Sequence, residues 1–142
     1  MSIETLYQTG NDEYATPEWL KKGLFAGWFD PCPLSNGLVK EDGLAIEWGG
    51  SHVFVNPPYS KPLPWVERAI REQKRGKTVA LLVKHDSSTV WFNKLLEAGG
   101  HIMPIIGRLH FNNMKGPAPF PSVIVLLYPE KRVDYELIGE RQ

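Results

Sequence analysis

The 142-residue sequence predicts an α/β fold: a small, mostly parallel sheet flanked by helices, with a last strand that runs antiparallel. Three observations predict it. Residues 78–83 form a continuous apolar run, the pattern of a central strand buried on both faces. A shorter run, Val53-Phe54-Val55, stops abruptly at two prolines. Amphipathic patterns alternate with these runs and give the order helix, strand, strand, helix, strand, helix, strand, strand.

Composition narrows the class. A chain of this length makes one domain and buries roughly two-thirds of its unfolded surface. Hydrophobic residues at 42%, with five Trp, exclude a disordered polar chain. Sixteen basic residues balance sixteen acidic ones, so any nucleic-acid partner has to be held by a local patch. Cys32 is the single cysteine, which excludes an internal disulfide. No Cys/His spacing suggests a metal site, so none is expected. With no secretory leader and no long apolar span, a cytoplasmic protein without membrane contact is expected.

In chain order, residues 1–14 read as an extended arm. Thr16-Pro17-Glu18-Trp19-Leu20 reads as a helix start, with Thr16 as N-cap and Pro17 at the first helical position. Trp19, Leu20, Leu24 and Phe25 form its apolar side, and its amino terminus could receive an anion. Phe29-Asp30-Pro31-Cys32-Pro33 is a strand end carrying an acid into a turn. Ligands sit beyond the carboxyl ends of strands in such sheets, so Asp30 is either a ligand acceptor or a surface turn residue. Cys32 reads as a small buried residue. The Gly-rich stretch 35–50 is mostly loop, within which Asp42-Gly43-Leu44 and Trp48 could grip a nucleoside.

The best helix spans about 63–75, with Leu63, Val66, Ala69 and Ile70 inward, a Glu67–Arg71 pair and Gly76 as its end. Arg68, Arg71, Lys74, Arg75 and Lys77 form a basic cluster, read as a solvated face ahead of a phosphate track. Lys84, His85 and Asp86 follow the central strand at its carboxyl end, near where a substrate would lie, and read as loop residues in reach of it. No nucleophile-elbow pattern accompanies them. Ser88 caps a helix over 89–98 with Trp91, Phe92, Leu95 and Leu96 inward, and Gly99 ends it. Residues 102–106 form a strand, 107–111 continue extended, and 112–121 make a long loop of the kind that carries function. Residues 122–128 close the sheet, and the tail from 129 is peripheral.

Between strand and helix stands Asn56-Pro57-Pro58-Tyr59, whose residue types suit methyl transfer to an amine conjugated with an aromatic ring. The lone pair of such an amine is delocalised, and two acceptors on its N–H groups localise it. The Asn56 carboxamide oxygen and the Pro57 carbonyl can be those acceptors, aimed by the stiff Pro57-Pro58 backbone. Tyr59 offers a flat face to a planar base. This stretch resembles the catalytic loop of S-adenosylmethionine-dependent amino methyltransferases.

The resemblance widens with the rest of the chain. Asp12-Glu13-Tyr14 with Thr16-Pro17, Phe29-Asp30, Asp42-Gly43-Leu44 with Trp48, Asn56 to Tyr59, Trp65-Val66, and Gly107-Arg108-Leu109 with Phe111 are similar to the phage-type DNA adenine (N-6) methyltransferase family. The similarity runs from about residue 12 to 128. It implies a small Rossmann-like methyltransferase fold, S-adenosylmethionine as donor and an adenine of double-stranded DNA as acceptor. Carried over, Asn56, Pro57, Pro58 and Tyr59 become the catalytic group, and Thr16, Pro17, Asp30, Asp42 and Asn56 the cofactor contacts. Tyr59, His85 and Arg108 become the substrate contacts, with Arg108 equally open to a structural ion pair.

One departure is the turn 30–33, which has prolines where many amino methyltransferases carry a glycine-rich loop. Another is the lack of a separate target-recognition domain: either the 112–121 loop reads a short site, or a second subunit contributes, as in a homodimer. Methylation of an RNA base or a protein glutamine, and a non-catalytic relic of the fold, are the alternatives. The main reading requires an adenosine-sized cleft beside the loop.

Overall fold

The computed structural model describes residues 14–33 and 42–129; residues 1–13 of the expected arm, residues 34–41, and residues 130–142 of the expected tail lie outside them. In chain order the elements are α1 (Trp19–Leu24), α2 (Asp42–Ala45), β1 (His52–Val55), α3 (Leu63–Lys74), β2 (Thr78–Lys84), α4 (Val90–Glu97), β3 (His101–Pro104) and β4 (Ser122–Leu127). The strands form one mixed, open sheet in the order β1-β2-β4-β3.

β1 and β2 pair in parallel, Val53 opposite Val79 and Val55 opposite Leu81. β4 pairs antiparallel with β2 on one side and with β3 on the other. The expected mostly parallel sheet is thus corrected. β1, β2 and β3 do run the same way, but β4, the antiparallel last strand, is inserted between β2 and β3. A return loop suffices to place an antiparallel strand, whereas a parallel one needs a crossover. The strand expected before Asp30 is reduced to a single parallel bridge between Phe29 and Val53.

Strand parity divides the core into two layers. Val53, Val55, Val79, Leu81, Val83, Val123 and Val125 face one side, where Trp65, Val66 and Ala69 of α3 and Phe92 and Leu95 of α4 cover them. Phe54, Ala80, Leu82, Ile124 and Leu126 face the other, covered by Leu20, Phe25, Leu109, Phe111 and Ala118. Among the described residues the second layer has no long helix. A loop and α1 close it instead.

Several local expectations yield to tertiary contacts. α1 is wound as a π-helix, with Phe25 N–H donating to Leu20 O at 2.8 Å. Its wider winding leaves Trp19 and Leu24 exposed, while Leu20 and Phe25 are buried. Thr16 is not its N-cap: Glu18 holds that position with no side-chain cap bond, so Pro17 precedes the helix. Thr89 caps α4 by accepting from Phe92 N–H at 3.2 Å, because Ser88 is engaged with Asp86. Leu96 is exposed and β3 ends at Pro104, leaving Ile106 in solvent.

Glu67 meets Lys94 at 3.9 Å in place of Arg71. Arg68 leaves the expected basic face, pairs with buried Glu72 at 2.8 Å and donates to the carbonyls of Leu44 and Ile46. Glu72 also meets Arg75 at 3.2 Å and Lys77 at 3.4 Å. These contacts pin the segment after α2 onto α3.

Gly43 sits where no side chain fits, because a Cβ there would lie 2.0 Å from the Pro31 carbonyl and 2.6 Å from the Trp65 ring. Gly43→Ala should therefore destabilise the fold by about 3 kcal/mol, seen as a lower midpoint in denaturant. Burial alone would push the Glu72 carboxyl up, but the Arg68 hydrogen bond and the Lys77 and Arg68 charges outweigh it and hold it below its ordinary value. A depressed carboxylate contributes stability above its unfolded pKa, about 4.3, that is lost as pH falls through the folded value. Glu72→Gln should lower stability at neutral pH and flatten its decline below about pH 4 in thermal melts at stepped pH.

Candidate active site

Three segments meet at the carboxyl ends of the parallel strands. Phe29 N–H donates to His52 O at 3.0 Å and Phe54 N–H to Phe29 O at 2.8 Å, so Asp30 leaves the sheet beside the end of β1. Gly43, packed on the Pro31 carbonyl, brings the segment of α2 to the same place. Asn56 follows Val55 directly, and parity turns it to the face of Phe54, away from α3.

Asn56 is buried. Its Nδ2 donates to the Tyr14 carbonyl at 2.6 Å and to Thr16 Oγ1 at 3.1 Å. Among the described residues its buried Oδ1 has no hydrogen-bond partner. Pro57 and Pro58 are buried behind it, and Pro58 O accepts from Lys61 N–H at 3.3 Å in a turn that leads into α3. A carboxamide whose hydrogens are both used and whose oxygen is unused can only accept.

Tyr59 lies in a cluster of rings. Its centroid is 4.8 Å from Tyr14, 5.0 Å from Phe120 and 6.2 Å from Phe111. Among the described residues its buried hydroxyl has no hydrogen-bond partner, and burial, with Tyr14 beside it, pushes its pKa far above the usual phenol range. Burial thus favours the neutral phenol. Among the described residues the expected adenosine-sized cleft is not open beside Tyr59: the cavity bordered by Pro57, Pro58, Tyr59, Pro62, Val83, Lys84 and Trp91 measures about 10 Å³, room for one water. Phe120 and Tyr14 occupy the ring's surroundings.

The other expected site residues fall as follows. Thr16 adjoins Asn56. Asp30 accepts from Cys32 N–H at 2.9 Å through Oδ1 and pairs with Lys21 at 2.7 Å through Oδ2. The side chain of Asp42 lies outside the described residues. Trp48 does not offer a nucleoside platform: it is buried, donates to Gly43 O at 2.8 Å, and carries the Arg68 guanidinium 4.7 Å over its ring. His85 is exposed and stacks on Phe92 at 5.8 Å, on the α4 side of the sheet. Arg108 is exposed and reaches Ala118 O at 3.5 Å. Among the described residues no cluster of His, Cys, Asp or Glu could hold a metal ion, and no helix is long and apolar enough to cross a membrane.

Sequence reasoning missed Phe120 and set Lys84 with the loop residues after the central strand, without its face. Lys84 ends β2 on the same face as Asn56, with its Nζ 5.5 Å from the Phe120 ring centroid. Phe120 comes from the far end of the long loop. Even-number parity along β2 could have found Lys84; no local signal marks Phe120.

The family model for DNA N-6-adenine-methyltransferase (Dam) matches residues 4–126, which take in every segment of this site. The chain belongs to that family. A DNA N-6-adenine-methyltransferase of Haemophilus phage HP1 is 33% identical over 149 residues, covering 92% of this chain and 86% of the relative. A DNA N-6-adenine-methyltransferase of Escherichia phage T1 is 35% identical over 57 residues, covering 39% of this chain and 24% of the relative. No solved structure is a significant match. This Dam family member is a phage-type enzyme that methylates adenine in DNA, and of the readings the sequence left open the relatives favour that one.

Because the Tyr59 hydroxyl is unpartnered in the core, its removal relieves an unmet polar group. Tyr59→Phe should melt at the same temperature as the parent or higher, while Tyr59→Ala loses about 3 kcal/mol from the ring cluster. Differential scanning calorimetry of the three proteins checks both.

Proposed function

We propose that the methyl donor is S-adenosylmethionine and that the acceptor is an adenine turned out of double-stranded DNA, held by Asn56 and the Pro57 carbonyl. The single observation behind this reading is the buried, unpartnered Oδ1 of Asn56. Leaving a buried acceptor unmet costs about 1–3 kcal/mol, so a site that keeps one is suited to a ligand that supplies the donor. The exocyclic amine of adenine carries two such donors.

The residues around Asn56 suit the donor as well. Thr16 and Pro17, Asp30 and Asp42 lie on the segments gathered at the strand ends, where an α/β sheet receives its ligands. Lys21 and Cys32 N–H fix the direction of the Asp30 carboxylate and leave each oxygen a further lone pair for an ammonium or ribose hydroxyl. When bound, S-adenosylmethionine supplies an electrophilic methyl group. Asn56 and Pro57 draw the two amine hydrogens toward their oxygens and localise the nitrogen lone pair. Pro58 stiffens that backbone. Tyr59 stacks on the base once Phe120 gives way. His85 and Arg108, both exposed, are placed for contact with DNA outside the slot.

The order β1-β2-β4-β3 with a reversed β4 is consistent with a Rossmann-like methyltransferase sheet in one domain. The two phage relatives support action in the host cytoplasm, where the DNA is. The deciding experiment replaces Asn56 by Ala. Transfer of labelled methyl to duplex DNA should fall about 100-fold or more, the scale of losing one acceptor aimed at developing charge. Calorimetry should show the donor still binding. Full turnover by Asn56→Ala refutes the assignment.

A further inference from the structure

We infer that Thr16 is a positioning residue for the Asn56 carboxamide, backed by Asn112 and Asn113 from the long loop; the inference rests on Asn56 acting as the acceptor for the substrate amine. An amide can turn over by 180°, which would set its NH2 group against the amine of the substrate, donor against donor. Two contacts decide which way it lies. The Tyr14 carbonyl can only accept, and at 2.6 Å it draws Nδ2 to its side. Thr16 Oγ1 takes the second hydrogen at 3.1 Å. With both hydrogens engaged, Oδ1 is the atom left facing the site.

The segment that supplies these acceptors is not part of a helix or a strand. It is clamped from the far side of the loop instead. Asn113 Oδ1 accepts from Ala15 N–H at 2.9 Å, Asn112 N–H donates to Ala15 O at 3.0 Å, and Asn112 Nδ2 donates to Thr16 O at 3.2 Å. Three hydrogen bonds therefore tie residues 15 and 16 to the residues following Phe111, which itself packs on Tyr14 at 5.1 Å. The loop thus reaches the reacting group through two intermediaries, its asparagines and Thr16. A role for Thr16 as a cofactor contact alone would not need its hydroxyl to face Asn56.

The two roles separate in kinetics. Thr16→Val keeps the shape and removes the acceptor; Thr16→Ser keeps the hydroxyl. Methylation of duplex DNA is measured with donor and DNA saturating, and donor affinity is measured by calorimetry with S-adenosylmethionine. Thr16→Val should lower kcat about tenfold even with donor saturating, whatever the change in donor Kd, the scale of one hydrogen bond realised only in the reaction. Thr16→Ser should recover kcat to within about threefold, and Asn113→Ala should fall between them.

A second readout does not depend on turnover. One of the two Asn56 side-chain NH2 proton resonances should move upfield in Thr16→Val, and return in Thr16→Ser. Should Thr16→Val fold poorly, Thr16→Ala gives the same reading. An unchanged kcat with unmoved Asn56 resonances overturns the inference, as does a loss confined to donor affinity. If the parent protein transfers no methyl group to DNA, the proposed function fails instead, and the resonances still report whether Thr16 holds the amide.

Discussion

The site depends on one buried carboxamide whose three polar positions are unequally satisfied. Asn56 gives both hydrogens to Tyr14 and Thr16 and leaves its oxygen unmet. In a folded interior such an oxygen costs about as much as one or two ordinary hydrogen bonds contribute, so the surroundings have to be firm enough to keep it. They are. Pro57 and Pro58 cannot flex at φ, β1 is paired on one side with β2 and bridged on the other by Phe29, and the Tyr14 carbonyl is too close to Nδ2 for the amide to turn freely.

What delivers this residue is strand parity. Val53 and Val55 go to the layer under α3 and α4, which turns Phe54 and Asn56 to the layer closed by α1 and the long loop. The same alternation along β2 sends Lys84 to the Asn56 face and leaves His85 against Phe92 on the other. One layer is built by helices and is structural. The other is closed by loop segments, whose packing can rearrange at less cost than a helix interface. The proposed site sits on the second.

Legibility in the sequence followed the range of the signal. The strand stopped by two prolines, the central apolar run and the glycine ends of α3 and α4 are local patterns, and each was readable. The insertion of β4 between β2 and β3 is a pairing across the chain, and no local pattern carries it. Thr16 shows the conflict in one residue. Thr-Pro-Glu is a helix-start pattern, yet its hydroxyl serves Asn56, forty positions away, and α1 begins without it. Arg68 looked solvated among basic neighbours, but a long side chain can fold inward, and its guanidinium covers Trp48. Trp48 was lost as a ligand platform for the same reason. At the site, the asparagine at the end of the strand was readable, whereas the ring that covers Tyr59 was not, because Phe120 arrives from the far end of a loop.

The closed slot beside Tyr59 bears on how the energy of base binding is divided. Admitting an adenine means separating Tyr59 from Phe120, and an aromatic pair of this kind is worth about 0.5–1.5 kcal/mol beyond its buried area. A base stacked on an aromatic side chain recovers about 1–3 kcal/mol, so the exchange of one ring partner for another is close to balanced. Turning the base out of the duplex costs a few kcal/mol more, and stacking alone does not cover it. The remainder has to come from contacts that exist only with the base in place. The unmet Oδ1 of Asn56 is such a contact, since binding there both forms a hydrogen bond and removes the cost of an orphaned acceptor. A planar molecule without an N–H at that position gains the stacking and leaves the orphan. On the proposed reading, discrimination in favour of an amino-bearing base arises from the same atom that prepares its nitrogen for attack.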